Sequence, residues 1–440
     1  MPYLRLAFLF VAAFELNAFA PDVLSHLQSL GGTEATLAQS LWCLGLLMVF
    51  GWLASKAAVG TVFPSFTLQL LLGIVLHDAL APLSSQLALA VVVCTALAAI
   101  ILKSGGDELD RKQFAKIAFP TLMMAVVGYL VTFFVMFLLL LWSGLDSKTA
   151  ALLSAIIGST DPAALIPTLR NVRFLPQYQR VVDISVAESA LNDAVGAIFT
   201  AAVAAMVMAQ VPMETVQGLA QGLFSPDNLL QLGQQFVVGT LAGLVGWGAM
   251  VWLERYRQAD HPYQAPFDFS LIVAIPLLTF LLAQALHGNG FLAAFVAGLL
   301  ANFNRSAEHF HHLIEQTETQ IESVAKPVIF MMVGPFVSLP MLVDTALMGL
   351  GVSVLFMMVA RPVAVFASLL PTGISFKEKL FLCAVRETGV IPVVLAVITV
   401  AQFSDLQGLM PLTAWVVIWT LTLLPAITPW WSRRLNMVQT

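Results

Sequence analysis

Apolar stretches of roughly twenty residues recur along almost the whole chain, and an α-helix needs about that length to cross the hydrocarbon core of a bilayer. Hydrophobic residues make up 59% of the 440 residues and charged residues only 10%, against about 25% in an average soluble domain. Because backbone polar groups inside a bilayer must be satisfied within the protein, these stretches predict an all-α, polytopic membrane protein. Residues 1–440 are expected to form one membrane-embedded domain without a soluble regulatory domain.

About fourteen candidate spans are bounded by charged residues and by Gly/Pro clusters. In the first span Arg5 precedes the apolar part, a pattern that is compatible with a signal peptide. Glu15 and Asn17 interrupt its apolar run, so we expect the span to be retained. The spans lie near residues 4–20, 39–56, 61–80, 87–103, 115–142, 149–169, 181–209, 229–253, 268–286, 289–303, 324–340, 343–370, 377–401 and 409–431.

The twenty lysines and arginines fall almost entirely in alternate loops, and cytoplasmic loops of membrane proteins retain basic residues. With the amino terminus inside, Lys148 falls outside, Arg361 and Arg386 lie within spans, and the others fall on the cytoplasmic side. This partition predicts a multi-pass protein of the cell (inner) membrane with both termini in the cytoplasm.

The first intramembrane polar cluster is Gly-Ser-Thr-Asp-Pro at residues 158–162, in the middle of an apolar span. A charge at bilayer depth is costly and marks a candidate functional site. Proline removes a helical hydrogen bond, so Asp161 and Pro162 predict a helix that is broken beside a polar cavity. A kinked helix that Asp161 merely caps is the structural alternative.

The second polar cluster is Glu-Ser-Ala-Leu-Asn-Asp at residues 188–193, in the next span. Positions four apart share one stripe of a helix, so Ser189 and Asp193 are expected on one stripe and Glu188 and Asn192 on the adjacent one. One stripe is suited to an ion and the other to bracing the site. Interhelical hydrogen bonds without a transport role are the alternative interpretation.

Two later spans contain positive charges that can balance these acids. Arg361 precedes Pro362 within one span, and Arg386 and Glu387 lie six and five residues before Pro392 within another. The second span again combines charge, glycine and proline, which indicates a second broken helix. Arg386 and Glu387 are therefore candidates for residues that support the site.

The two interrupted spans occupy corresponding places in two halves of the chain. The first predicted repeat covers residues 39–209, a linker helix covers 229–253, and the second repeat covers 268–431. Interrupted spans at matching places are typical of inverted-repeat transporters, which bind their substrate between the two breaks. The fold prediction is thus about fourteen transmembrane helices with inverted repeats and two broken helices that cross.

Composition argues against other classes of protein. The net charge of −5 is spread over the connectors and gives no sign of nucleic-acid binding. Three cysteines, Cys43, Cys94 and Cys383, lie inside apolar segments and are interpreted as small core residues. We therefore expect no cofactor and no enzymatic activity.

These residues resemble the monovalent cation/proton antiporter superfamily, and within it the first family, which contains the sodium/proton exchangers. The resemblance extends from about Leu41 to Leu424. The motifs that carry it are Thr160-Asp161-Pro162, Glu188-Ser189-x-x-Asn192-Asp193, Gly290 to Leu299, Phe330 to Gly334, and Arg361-Pro362. The sequence Arg-Glu-Thr-Gly at 386–389 departs from the Leu-Arg-Gly that is common at that place.

The resemblance implies an ion site. In it, Asp193 binds the cation and the proton in turn, while Asp161, Ser189 and the backbone of Thr160 complete the oxygen shell of the monovalent metal ion. Elementary chemistry agrees, since hard cations prefer oxygen ligands. A buried carboxyl group is also suited to exchanging a proton at cellular pH.

The resemblance also implies the supporting residues. Asn192 would hold the broken chain in place, and Glu188 would form a structural ion pair with Arg361. An arginine guanidinium keeps its proton at any physiological pH, so Arg361 is a poor second proton carrier. One exchanging carboxylate favours electroneutral exchange, with one cation per proton.

The predicted function is therefore secondary active antiport of a monovalent cation, sodium and also lithium, against protons in the lipid bilayer. A homodimer is implied by the resemblance. A potassium/proton antiporter on the same scaffold is the main alternative. An intramembrane aspartyl protease with Asp161 and Asp193 as a dyad is a remote one, since the Gly-x-Gly-Asp expected of it is absent at Asp193. A passive channel would not need a titrating carboxylate in its pathway.

Overall fold

The fold is described from a computed structural model of the chain. It describes residues 2–107, 111–160, 169, 172–260, 265–303, 308–403, 405–406 and 408–438, without the side chains of 111–113, 257–260, 265–268, 303 and 308–313. Regular structure within these residues is helical, apart from an isolated antiparallel bridge between Phe174 and Val438. The predicted all-α fold is confirmed.

The first part of the chain forms long helices separated by short connections. They are α1 (Pro2–Gln28), α2 (Gly32–Ala58), α3 (Ser65–Val75), α4 (Ala81–Ser85), α5 (Leu87–Asp107), α6 (Arg111–Leu122), α7 (Tyr129–Trp142), α8 (Ser147–Ile157) and α9 (Gln179–Met208). A π-helical segment, Met123–Gly128, joins α6 to α7 in one continuous span.

The second part begins with a short helix and continues in the same way. Its helices are α10 (Val216–Leu223), α11 (Pro226–Asp260), α12 (Ala265–Ala285), α13 (Gly290–Phe303), α14 (Glu308–Met331), α15 (Leu339–Asp344), α16 (Ala346–Leu355), α17 (Arg361–Ser368), α18 (Phe376–Ala384), α19 (Val390–Gln402) and α20 (Leu409–Arg434). A second π-helical segment, Phe356–Ala360, joins α16 to α17.

Length and hydropathy agree with the prediction of a polytopic membrane protein. Eight helical spans of the described chain are long and apolar enough to cross a bilayer, and several shorter apolar helices accompany them. The predicted span at 324–340 is wrong in its bounds, because α14 begins at Glu308 and ends at Met331. Helix α14 is amphipathic, so charged residues interrupt the apolar run on which the prediction relied.

Burial separates central helices from peripheral ones. In the most apolar window of α1 17% of the residues are buried, against 67% in the span Pro176–Met208. Large apolar side chains such as Phe8, Phe14 and Trp52 are exposed on α1 and α2, as expected for a surface that faces lipid. Helix α9 lies at the centre and packs against α5, α6, α8, α13 and α19.

The second broken helix is present as predicted. Residues 385–389 are not helical and separate α18 from α19. Helix α8 ends at Ile157, and Ser159 and Thr160 are likewise outside any helix. Asp161 and Pro162, on which the prediction of the first break rests, lie outside the described residues. The division into two inverted repeats stays a prediction.

A further buried charge cluster joins three helices, α5, α13 and α14. The ammonium group of Lys103 on α5 contacts the carboxylates of Asp107 on α5 and Glu318 on α14. The side chain of Asn302 on α13 donates a hydrogen bond to the backbone carbonyl of Asp107. The exposed fractions are 1% for Lys103 and 3% for Glu318. Because water hardly reaches these side chains, the ammonium group of Lys103 compensates the negative charge of the two carboxylates.

We predict that Lys103→Met lowers the free energy of unfolding by about 3–5 kcal/mol, because removing one partner of a buried ion cluster leaves the remaining charges uncompensated. Lys56→Met is the matched control, since Lys56 is exposed and surface substitutions change stability by about 0.5 kcal/mol or less. Thermal unfolding of the purified protein in detergent compares the two. Equal melting temperatures for both variants would contradict the prediction.

Candidate functional site

Glu188 and Arg361 form a paired contact at the centre of the helix bundle. Arg361 Nη1 donates to Glu188 Oε1 at 3.0 Å, and Nη2 donates to Oε2 at 3.1 Å. Both residues are 1% exposed. Two parallel charge-assisted hydrogen bonds give the pair a fixed geometry. The structure thus contains the ion pair that the sequence predicts.

Local helix geometry brings Arg361 to this position. The π-helical segment Phe356–Ala360 ends immediately before Arg361, and Pro362 follows it. Proline lacks the amide proton that an α-helical hydrogen bond needs, and π-bulges recur where a helix presents a functional side chain. Arg361 Nε also donates to the Leu382 carbonyl at 3.1 Å, so the same guanidinium fastens α18 to α17.

Arg386 reaches the same carboxylate from the second break. Its Nη1 lies 3.9 Å from Glu188 Oε1, and its Nη2 donates to the backbone carbonyl of Gly158. The guanidinium also lies over the ring of Phe356, 5.5 Å from the centroid. Glu188 therefore lies beside two arginines, and Arg386 connects the second break to the end of α8.

The segment after α8 is tied to α9 by two side-chain hydrogen bonds. The hydroxyl of Ser159 donates to Asp193 Oδ1, and the hydroxyl of Ser189 donates to Thr160 Oγ1 at 3.0 Å. The exposed fraction is 4% for Asp193 and smaller for the other three residues. A carboxylate and three hydroxyl groups thus converge at one buried place between α8 and α9.

Two glycines allow the segment after α8 to lie close to α9 and α7. A Cβ atom on Gly196 would lie 2.9 Å from the Cβ of Ser159, so a larger residue at 196 would push the two segments apart. A Cβ on Gly158 would lie 2.6 Å from the ring of Tyr129. The Tyr129 hydroxyl donates to the Ala155 carbonyl at 2.6 Å, which holds the last turn of α8 against α7.

The predicted division of α9 into two stripes is seen in the contacts. Asn192 Nδ2 donates to Glu188 Oε1 at 3.2 Å, so these residues form one stripe. Ser189 and Asp193 contact the segment after α8 and form the other. Of the predicted ion ligands, the described residues Asp193, Ser189 and Thr160 lie together. The predicted ligand Asp161 lies outside the described residues.

The second break buries two further predicted supporting side chains. Arg386 is 2% exposed and Glu387 is 1% exposed, and both lie between α18 and α19. The backbone amide of Thr388 donates to the Thr420 hydroxyl on α20 at 3.1 Å, which satisfies one donor that the interrupted helix leaves without a helical partner. Whether Glu387 supports the site stays a prediction.

Ser159 belongs to the polar cluster at residues 158–162, but the sequence pattern did not single it out as a residue of the site. Asp161 was identified from its charge and Thr160 from the family resemblance, whereas Ser159 lies outside the helix, where spacing does not fix the direction of a side chain. The adjacent Thr160 and Asp161 are the signal that points to this segment.

A cavity of about 460 Å³ lies between α9 and helices α5, α11, α12, α13 and α19. Ala197 and Thr200, the lining residues nearest Asp193 in sequence, lie one and two turns further along α9. Amide and hydroxyl side chains line it among apolar ones, including Gln231, Gln284 and Thr399. Uncharged side-chain oxygen atoms therefore line a cavity that begins about one helical turn beyond Asp193.

The transmembrane family described as sodium/hydrogen exchanger matches residues 44–434. The chain belongs to this family. A relative, the Na(+)/H(+) antiporter 1 of Methanocaldococcus jannaschii, is 28% identical over 378 residues, which cover 82% of this chain and 83% of the relative. The K(+)/H(+) antiporter NhaP of Alkalimonas amylolytica is 27% identical over 303 residues, which cover 68% of this chain and 49% of the relative. The chain thus spans about half the length of that potassium/proton antiporter.

The fold of the chain is similar to that of a solved structure. The structure of the sodium proton antiporter MjNhaP1 from Methanocaldococcus jannaschii at pH 8 has a TM-score of 0.78 and 22% sequence identity, and the match covers 91% of this chain and 99% of that chain. This similarity confirms the polytopic membrane fold.

We predict that Arg361→Ala and Glu188→Ala each lower the free energy of unfolding by about 3–5 kcal/mol, because each leaves a buried charge without its main partner. Arg433→Ala is the matched control. Arg433 is exposed in the last turn of α20, so its loss should cost about 1 kcal/mol or less. Fluorescence-detected melting compares the variants, and unchanged melting of either buried variant would exclude a stabilising pair.

Proposed function

We propose that this family member is a secondary active antiporter that exchanges a monovalent cation for a proton across the cell membrane. The observation that carries the proposal is the position of Asp193. Its carboxylate is buried on a membrane-spanning helix and accepts a hydrogen bond from Ser159 in the non-helical segment after α8, while Thr160 of the same segment accepts one from Ser189, one turn before Asp193. Polar backbone and side-chain oxygens at a broken helix are the usual setting for a transported ion.

Exchange follows from competition for one carboxylate. When Asp193 is ionised, its oxygens, the hydroxyl of Ser189 and the backbone oxygen of Thr160 offer a hard cation the ligands that it prefers. When Asp193 is protonated, the charge that attracts the cation is gone. Asp161 is proposed as a further cation ligand, on the resemblance of Thr160-Asp161-Pro162 to the motif of the family. Transport of one ligand therefore requires release of the other, without any chemical conversion of substrate.

Sodium is the proposed cation, with lithium as a second substrate. The support is the resemblance to a relative named as a Na(+)/H(+) antiporter, which the chain matches over most of its length. Potassium is the alternative, because relatives named as K(+)/H(+) antiporters are 27% identical over a shorter region. Proteoliposomes that contain a pH dye decide the question when sodium, lithium, potassium and rubidium are supplied in turn.

The cavity next to α9 is proposed as the external entrance to the site. If both termini are cytoplasmic, as the distribution of lysine and arginine predicts, Met208 and Gln402 in its lining lie at the outer ends of α9 and α19. Its amide and hydroxyl oxygens can replace part of the hydration shell of an entering cation. Assembly as a homodimer in the cell (inner) membrane is proposed from the family resemblance.

We predict that Asp193→Asn abolishes proton-coupled exchange while leaving a folded protein, since the amide keeps the shape and removes the exchangeable charge. In the wild type, the apparent cation affinity should fall as pH drops, with a limiting loss of about tenfold per pH unit. Dye-reported exchange between about pH 5 and about pH 9 measures both effects.

The variant Asp161→Asn is compared with Asp193→Asn to test which of the two acids carries the proton. As a proposed ligand rather than the obligatory carrier, Asp161 should chiefly affect the cation concentration at half-maximal exchange. Robust pH-dependent exchange by the Asp193→Asn variant would exclude Asp193 as the shared site. Cation flux that persists without a proton gradient and rises linearly with cation concentration would instead indicate a channel.

We predict electroneutral exchange, because Arg361 cannot release its proton at physiological pH and one carboxylate then exchanges one cation for one proton. An imposed membrane potential of either sign should leave the rate and direction of exchange unchanged. A sustained current on a solid-supported membrane under a sodium gradient would show that unequal charges are exchanged.

A further inference from the structure

Tyr129 supplies a hydrogen bond that the end of helix α8 lacks. An α-helix joins each amide to the carbonyl four residues earlier, so a continuing helix would join the Ser159 amide to the Ala155 carbonyl. Helix α8 ends at Ile157, and the Ser159 amide donates instead to the Ile156 carbonyl at 3.4 Å. The Tyr129 hydroxyl donates to the Ala155 carbonyl at 2.6 Å. A side-chain donor thus takes the place of the helical amide.

The end of α18, at the second break, is capped in a corresponding way. Helix α18 ends at Ala384, and the carbonyl of Leu382, two residues earlier, accepts a hydrogen bond from Arg361 Nε at 3.1 Å. The carbonyl of Ala155 likewise lies two residues before Ile157, the last residue of α8. At the end of both helices, therefore, a side chain from a neighbouring span satisfies the same carbonyl position.

Both capping side chains directly follow a π-helical segment. The segment Met123–Gly128 ends immediately before Tyr129, and the segment Phe356–Ala360 ends immediately before Arg361. A π-helical turn inserts an extra residue into a helix and is frequent at functional sites. The recurrence of this arrangement in two spans indicates that the segments serve to present a cap to the end of a neighbouring helix.

The aromatic ring of Tyr129 also fixes the direction of the chain after α8. Tyr129 is fully buried. A Cβ atom on Gly158 would lie 2.6 Å from its ring, and one on Gly196 of α9 would lie 3.6 Å from it. Ring and hydroxyl together set the point at which Ser159 and Thr160 leave α8 and contact α9.

We propose that Tyr129 is a positioning residue of the cation site, whose hydroxyl holds the end of α8 in the arrangement that places Thr160 beside Ser189. The inference rests on the proposed function, in which these residues bind the cation. Without the hydroxyl, the Ala155 carbonyl can regain the Ser159 amide by extension of the helix, which withdraws the segment from α9. Only the molecules that keep the original arrangement then bind the cation, so the apparent affinity falls by their fraction.

The variant Tyr129→Phe keeps the ring and removes the donor. At a fixed alkaline pH, the apparent KM for sodium should rise about tenfold. The maximal rate per folded protein should stay close to that of the wild type, because saturating sodium selects the binding arrangement. A hydrogen bond with a merely structural role would instead lower the yield of folded protein and leave KM unchanged.

The experiment measures sodium-driven proton exchange in proteoliposomes, together with the sodium concentration that half-maximally stabilises the purified protein against heat, which reports binding without transport. Ser154→Ala is the matched control. The buried Ser154 hydroxyl donates to the Ala150 carbonyl at 2.7 Å, but this carbonyl keeps its helical amide inside α8, so both sodium readouts should match the wild type. Gly158→Ala, whose Cβ would displace the Tyr129 ring, should raise KM as Tyr129→Phe does, and it replaces that variant if Tyr129→Phe does not fold.

Each outcome separates the inference from the proposed function. A raised KM with a preserved maximal rate for Tyr129→Phe, and an unchanged KM for Ser154→Ala, support the inference. An unchanged KM for Tyr129→Phe overturns it, and so does an equal rise in both variants. Sodium stabilisation without exchange by the wild type would overturn the proposed antiport alone, since the stabilisation curve of Tyr129→Phe then decides the inference. Absence of both sodium effects from the wild type would overturn both.

Discussion

Glu188 carries a carboxylate deep inside the helix bundle, where an unpaired charge would cost several kcal/mol. Arg361 compensates it with two hydrogen bonds, and Arg386 approaches it from the second break. Because Arg386 also binds the carbonyl of Gly158, the same set of charges fixes the segment that follows α8. The position of the proposed ion site thus depends on how one acid of α9 is neutralised.

Because the two arginines compensate the charge of Glu188, they do not need to contact the neighbouring stripe of α9, which faces the proposed ion site. Ser189 and Asp193 turn toward the segment after α8, while Asn192 stays with Glu188. One stripe therefore carries a carboxylate, Glu188, that is paired with arginine, and the other carries Asp193, the carboxylate proposed to bind the proton and the cation in turn. The spacing of four residues along the helix keeps the two sets separate.

Much of this arrangement follows from the sequence, and the rest does not, for identifiable physical reasons. Helical spacing predicted the two stripes. Charge balance within the bilayer predicted that an intramembrane arginine offsets the acids, and the family resemblance implied that Arg361 pairs with Glu188. Ser159 was not predicted as a partner of Asp193, because no periodicity fixes side-chain direction outside a helix. The burial of Lys103 was not predicted either, since its partner Glu318 lies 215 residues away on an amphipathic helix.

Charge accounting at the two breaks links the structure to the proposed stoichiometry. The formal charges of Glu188 and Arg361 cancel, and those of Arg386 and Glu387 cancel as well, because a guanidinium retains its proton while an ionised carboxylate carries one negative charge. When a cation leaves Asp193 and a proton takes its place, the total charge of the site is therefore the same before and after. The proposed electroneutral exchange follows from this balance when Glu387 and Asp161 each keep one protonation state throughout the cycle.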